Sequence, residues 1–128
     1  MSSKYDNPFN NLKRIFHEPN RLAILSALCS TANGLTFRDL RDQCDLTDGN
    51  LSRHLKALEE AGVIEIEKKF VGVKPQTTVL LTDMGRDSFI EYLKALEEVL
   101  QKAAEAITTG EEGVSLPFAW IKPLGASS

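Results

Sequence analysis

Apolar residues recur at helical spacing along most of this chain, and the one place where the rhythm changes defines its organisation. Phe9, Leu12, Ile15 and Phe16 fall on one side of a first amphipathic stretch opened by Asn7-Pro8. Glu18-Pro19 restarts the chain, because proline suits a first helical turn, where its missing N–H would have no partner in any case. From Asn20 the run Leu22, Ile24, Leu25, Leu28, Cys29 predicts a strongly buried helix, ended by Asn33-Gly34. Leu35-Thr36 reads as a short extended link. Thr36-Phe37-Arg38-Asp39 has the form of a capping box and opens a helix through Leu40 to Cys44. After a brief turn at Asp45-Leu46, the next apolar stripe is Leu51, Leu55 and Leu58, with Thr47 as its N-cap and Gly62 where a left-handed C-terminal cap is needed.

Past Gly62 the helical period gives way to alternation. Val63, Ile64 and Ile66 alternate with Glu65 and Glu67, Lys68-Lys69 follow, and Thr77-Thr78-Val79-Leu80-Leu81 is β-branched and apolar. Between the two halves lies a tip bearing glycine and proline, Phe70 to Gln76, so residues 63–82 are expected to form a β-hairpin. Thr82-Asp83 then caps a long last helix over 83–109, with an acid in the first turn as the helix dipole favours. On it Phe89, Leu93, Leu96, Leu100, Ala103 and Ile107 form a heptad seam, and Tyr92, Val99 and Ala106 a second column. One column can pack on its own domain, whereas two call for more partner surface. The expected dimer interface is therefore Phe89, Tyr92, Leu93, Leu96, Val99, Leu100, Ala103 and Ile107. The alternative is a monomer whose N-terminal helix and C-terminal tail cover both columns. In the tail, 110–128, the run Leu116-Pro117-Phe118-Ala119-Trp120-Ile121 is too short for a membrane and too apolar for a free linker. It is expected to fold back onto the dimer, an interaction motif being the other reading.

Two short helices joined by a turn, the second with a polar outer face, make a helix-turn-helix. On the second, about 47–61, the face opposite the leucines carries Gly49, Asn50, Arg53, Lys56 and Ala57, with Ser52 and His54 on the flanks. A leucine-keeled helix with a back of small, amide and guanidinium side chains suits a DNA major groove. There arginine pairs with guanine and asparagine with adenine through two hydrogen bonds each. Asn50 and Arg53, in the N-terminal two turns, are the expected base readers; Thr47, Ser52, His54 and Lys56 are expected at flanking or phosphate positions. Such a face can also be merely solvated, and the hairpin that follows favours DNA. A hairpin after a recognition helix is the wing of a winged helix, and Lys68, Lys69 and Lys74 near its tip would meet backbone phosphates. The plainer reading of those lysines is an edge kept soluble. Arg21 could likewise reach a phosphate, or form a surface ion pair. The expected fold class is mainly α with a small β-hairpin wing: a winged helix-turn-helix over 1–82, a dimerisation helix over 83–109 and a tail over 110–128.

Composition adjusts this picture little. With 128 residues, 42% hydrophobic and 26% charged, the chain is one ordinary globular domain or one domain with an extension. No apolar run approaches a membrane span, and Met1 to Asn7 lack the apolar core of a signal peptide, so a cytoplasmic location is expected. The net charge of −3 is unevenly spread: residues 38–82 hold seven bases and eight acids, whereas 83–128 hold four bases and eight acids. A DNA-binding face needs local positive charge rather than a basic average. Cys29 and Cys44 are too few for a disulfide framework or a four-ligand zinc site and read as buried thiols, a redox switch being the alternative. No catalytic set emerges. Ser52 and His54 do not face each other on one helix, Cys44 and His54 lack an orienting acid, and His17 reads as a surface residue.

From Pro19 to about Leu96 the chain resembles winged-helix transcriptional regulators of the MarR and ArsR type. The strings that carry the resemblance are Pro19-Asn20-Arg21-Leu22-Ala23-Ile24-Leu25, Leu51-Ser52-Arg53-His54-Leu55, Leu58-Glu59-Glu60-Ala61-Gly62-Val63-Ile64 and Leu81-Thr82-Asp83-Met84-Gly85-Arg86. The tip from Phe70 to Thr77 is similar to a subgroup of small winged-helix DNA-binding domains that often carries more basic residues around Val73 and Gln76. The resemblance implies that Ser52, Arg53 and His54 lie on the recognition helix and that the wing approaches the minor groove or its phosphates. ArsR-like metal sensors use a cysteine pair near that helix, or His and Asp on the last helix. With one cysteine there and no histidine after His54, no metal and no cofactor is expected. MarR-like members often bind small molecules between their DNA-binding and dimer regions, but no residue here identifies such an effector. The expected function is a homodimeric, sequence-specific regulator of transcription on double-stranded DNA, with no membrane partner and no enzymatic activity. The alternative is a winged helix used for protein–protein interaction without DNA readout.

Overall fold

A computed structural model describes residues 8–110; the expectations for Met1–Asn7 and for the tail beyond Gly110 lie outside the described residues. The elements are α1 (Pro8–Phe16), α2 (Pro19–Cys29), β1 (Leu35–Thr36), α3 (Phe37–Cys44), α4 (Asp48–Glu60), β2 (Ile64–Val71), β3 (Lys74–Leu81) and α5 (Asp83–Gly110). The fold is thus mainly helical with a small antiparallel sheet, a winged helix-turn-helix as expected. Among the described residues, those up to Ile90 form one compact unit and those from Glu91 a second.

The helix starts follow from their caps. Glu18 accepts from the amide of Arg21 at 2.9 Å, with Pro19 in the first turn of α2. Thr36 accepts from the amide of Asp39 and Thr47 from that of Asn50, each at 3.1 Å. Each bond satisfies one amide that has no partner within the helix. Asp45, in the left-handed region at φ 56°, ends α3, and Gly62 at φ 78° ends the run that began with α4.

The sheet has the order β1-β3-β2. Leu35 and Thr36, read from the sequence as a link, pair with Val79 and Thr78; two residues are too few to show a period. The wing is longer than its sequence suggests. Val71 pairs with Lys74 and Phe70 with Pro75, so the turn is Gly72-Val73 alone rather than the whole stretch Phe70 to Gln76. Pro75 is tolerated because the pair next to the one closing a two-residue turn is a non-hydrogen-bonded one, and because β1 reaches β3 only at Thr78 and Val79.

The core of the first unit gathers Ile24, Leu25 and Leu28 of α2, Leu40 of α3, the keel Leu51, Leu55 and Leu58, and Val63, Ile64 and Val79 of the sheet, all buried. Phe16 at the end of α1 meets Phe89 of α5 edge to face, ring centroids 5.4 Å apart at 72°. The start of α5 is tied to the end of α4 by Thr82. Its hydroxyl donates to the carbonyl of Gly62 at 2.7 Å and accepts from the amide of Gly85 at 2.9 Å, while its own amide donates to Val63 O at 3.0 Å. Gly85 is buried there, and a Cβ on it would collide with the carbonyl of Val63, so the string Leu81 to Arg86 encodes a close approach of backbones.

The proposed seam on α5 needs one correction. Phe89 is fully buried against Phe16, and Tyr92 is only 4% exposed, within a single chain. Phe89 is thus already engaged within the first unit, with Phe16. Heptad spacing alone cannot separate a residue that packs on Phe16 from one that belongs to a seam. Leu93, Val99 and Ile107 are exposed, Ala103 is exposed, and Leu96 and Leu100 are half-buried.

Candidate nucleic-acid interface

α4 presents two faces of opposite character. Leu51, Leu55 and Leu58 are buried, whereas Gly49, Asn50, Ser52, Arg53 and Lys56 are exposed. Arg53 Nη2 donates to Asn50 Oδ1 at 3.1 Å, so the two expected base readers are held together one turn apart. Thr47 is exposed, and its oxygen is engaged in the cap of α4, which leaves its O–H to donate outward. Nothing within 4 Å would meet a Cβ at Gly49, so this end of the helix is open.

His54 is not on that face. It is 2% exposed, and its Nδ1 accepts from Arg21 Nε at 3.1 Å. The expectation that it flanks DNA is therefore corrected: His54 follows Leu51 and precedes Leu58 on the buried side. Arg21 is drawn towards it, its Nη1 donating to Ile15 O at 3.3 Å, and it forms no ion pair among the described residues. One guanidinium thus links the end of α1, the start of α2 and the middle of α4. With Nδ1 accepting, the neutral imidazole carries its proton on Nε2, which is buried with no hydrogen-bond partner among the described residues. Burial pushes the His54 pKa below the ordinary histidine value, with Arg21 and Arg53 adding to the shift and Glu18 opposing it.

The wing carries its lysines on both faces. Lys69 and Lys74 share one face, since Lys69 lies two residues from Val71, the cross-strand partner of Lys74; Lys68, opposite Thr77, is on the other. All three are exposed. Between the wing and α3 runs a groove of about 520 Å³, lined by Thr36, Phe37, Arg38, Arg41, Val71, Lys74, Pro75, Gln76 and Thr77. Arg41 reaches Asp48 at 2.9 Å and Asp42 at 3.2 Å, which sets the groove beside the first residue of α4 and offsets the charge of Arg41. Arg38 forms no ion pair among the described residues and faces the groove with Lys74. Sequence reasoning missed Arg38. The signal was its spacing of three from Arg41 on a capped helix, but only the wing register shows what lies opposite.

Other chemistry is sparse. Cys29 and Cys44 are half-buried rather than buried, and burial pushes both thiols up, away from the reactive thiolate. No helix among the described residues is long and apolar enough to cross a membrane.

Comparison with known proteins places this geometry. The family profile described as a winged helix DNA-binding domain matches residues 20–100. An uncharacterized protein from Methanocaldococcus jannaschii is 38% identical over 88 residues, which span 69% of this chain and 91% of that protein. A transcriptional regulator homologue from Pyrococcus horikoshii is 30% identical and superposes with a TM-score of 0.65 over 70% of this chain and 88% of its own. The MepR protein of S. aureus in complex with DNA, 18% identical, shares the fold alone, with a TM-score of 0.55 over 84% of this chain and 90% of its own. The chain belongs to the winged helix DNA-binding domain family, and its fold is shared with a MarR-family transcriptional regulator from Silicibacter pomeroyi.

Proposed function

We propose that this protein regulates transcription as a homodimer that recognises specific sites on double-stranded DNA. In this reading α4 enters the major groove and the wing lies on the adjacent backbone or minor groove. The observation that carries it is the exposed Asn50–Arg53 pair in the N-terminal two turns of α4, directly opposite a buried leucine keel. That is the part of a recognition helix that reaches base edges. Ser52, Lys56 and Thr47 flank the pair, and Arg38 with Lys74 offers the groove beside α4 to a phosphate. The MepR complex supports DNA as the partner of this fold. Exposed Leu93, Val99 and Ile107 on α5 support pairing through that helix, and a cytoplasmic location fits a regulator of this kind.

The reading is tested by selecting binding sites from random duplex DNA with the full chain, over a range of salt. A pseudo-palindromic site is expected, its half-sites about one duplex turn apart or a multiple of it. Binding that falls away equally on every sequence, or none at low salt, would favour a protein-interaction module instead.

A further inference from the structure

The tip of the wing is apolar where a solvated hairpin has no need to be. Phe70 is 71% exposed and Val73, at the apex of the turn, is 91% exposed. Neither lines the groove against α3, where Val71 and Pro75 lie. The segment 68–82 contains three lysines and no acid. The lysines stand on both faces of the hairpin, Lys68 on one and Lys69 with Lys74 on the other. An exposed apolar tip between two cationic flanks asks for a ligand that is apolar inside and anionic on both sides.

We propose that Phe70 and Val73 form a wedge that enters the minor groove of the bound duplex and opens a base step, while the lysines hold the phosphates of both strands. This rests on the reading of the protein as a DNA binder and names how its wing recognises DNA. A minor groove is a slot about 6 Å wide with base edges on its floor and a phosphate strand along each wall. Phe70 and Val73 project from the narrow end of a two-residue turn, and an inserted apolar side chain, not the paired backbones, is what such a slot admits. A flat anionic surface such as a lipid headgroup layer would use the lysines of only one face. Apolar side chains inserted from the minor groove unstack a step and kink the duplex by about 20–90° towards the major groove. The cost is least at pyrimidine–purine steps, so the wing reads deformability, not hydrogen-bonding edges.

The experiment uses the full chain and its selected duplex, labelled at both ends for energy transfer and carrying 2-aminopurine at the steps beside the α4 contact. Wild type is expected to shorten the end-to-end distance and brighten 2-aminopurine at one step. Phe70→Ser with Val73→Ser, both at exposed positions, should give an unbent duplex and about tenfold weaker binding. The salt slope should stay the same, because no cation is removed, and circular dichroism should report an unchanged fold. A straight duplex with wild type, or an unchanged bend and affinity in the variant, would overturn the wedge while leaving DNA binding intact. Wild-type binding to anionic vesicles, abolished in the variant while bending persists, would assign the tip to a membrane instead. Failure of wild type to bind any duplex would overturn the DNA reading itself and the wedge with it.

Discussion

Arg53 donates to Asn50 across one turn of α4, Nη2 to Oδ1 at 3.1 Å, on the face that the leucine keel leaves to solvent. The bond uses one N–H of the guanidinium, and the remaining N–H groups are enough to meet an acceptor pair such as guanine O6 and N7. It also keeps the Asn50 amide nitrogen available as a donor. A bond between the two side chains before binding is a form of preorganisation, which lowers the entropic cost of docking.

Arg38, Lys69 and Lys74 should each contribute one phosphate contact, Arg38 from α3 and the two lysines from one face of the wing. Replacing any one by alanine is expected to weaken binding to all sequences alike and to flatten the slope of log K against log salt by about one unit. Slopes unchanged in all three variants would mark them as solubilising charges.

Gly85→Ala should destabilise the first unit, because the added methyl meets backbone at Val63 and not a side chain that can swing away. Overpacking of this kind costs about 1–3 kcal/mol. Urea unfolding would show the midpoint falling; a midpoint equal to wild type would mean the two backbones can part freely.

Stability should fall with acid above the range in which carboxylates titrate. The His54 pKa is held below the ordinary 6.5 by burial first and the neighbouring guanidinium groups next. Between the folded and unfolded values the unfolded chain therefore binds more protons. The contribution of neutral His54 is fully present above about pH 6.5 and is lost as pH falls below it. A second proton would sit on Nδ1, where Arg21 now donates. Unfolding midpoints at about pH 7.5 and about pH 5.5 should differ in wild type and converge in His54→Gln, whose amide oxygen can still accept from Arg21. An equal difference in both proteins would assign the effect to another group.

Val99→Glu should give a folded monomer. Val99 is 60% exposed, so the charge costs the single chain little, but a carboxylate facing its symmetry mate in a dimer would be buried without a partner. Light scattering on wild type and variant reads the result directly. A wild type already monomeric at high micromolar concentration would contradict pairing through α5.

The helices, their caps and the hairpin were legible in the sequence because each rests on local chemistry: a stripe of leucines, a threonine before a turn, alternation past Gly62. What escaped depends on contacts between distant residues. His54 lies three residues from Leu51 and four from Leu58, near enough to the stripe to be buried, yet only the arrival of Arg21 makes burial of an imidazole tolerable. Phe89 fits a heptad seam equally well as a lid on Phe16. Leu35-Thr36 is a strand only because Thr78 and Val79 pass beside it. The groove between Arg38 and Lys74 required the wing register, which a single chain's pattern leaves open at the turn.

The central claim is that α4 reads sequence through Arg53. The most direct test compares site preferences of wild type and Arg53→Ala on the same random duplex pool. Leu55→Ala serves as a contrast, since losing a keel leucine should cost about 2–5 kcal/mol of fold stability and not alter specificity in the molecules that remain folded. Arg53→Ala is expected to keep its melting temperature, lose about 1–3 kcal/mol on the best site and relax preference at one position of each half-site, a guanine. Equal weakening on every sequence, or no change with the fold intact, would contradict the claim.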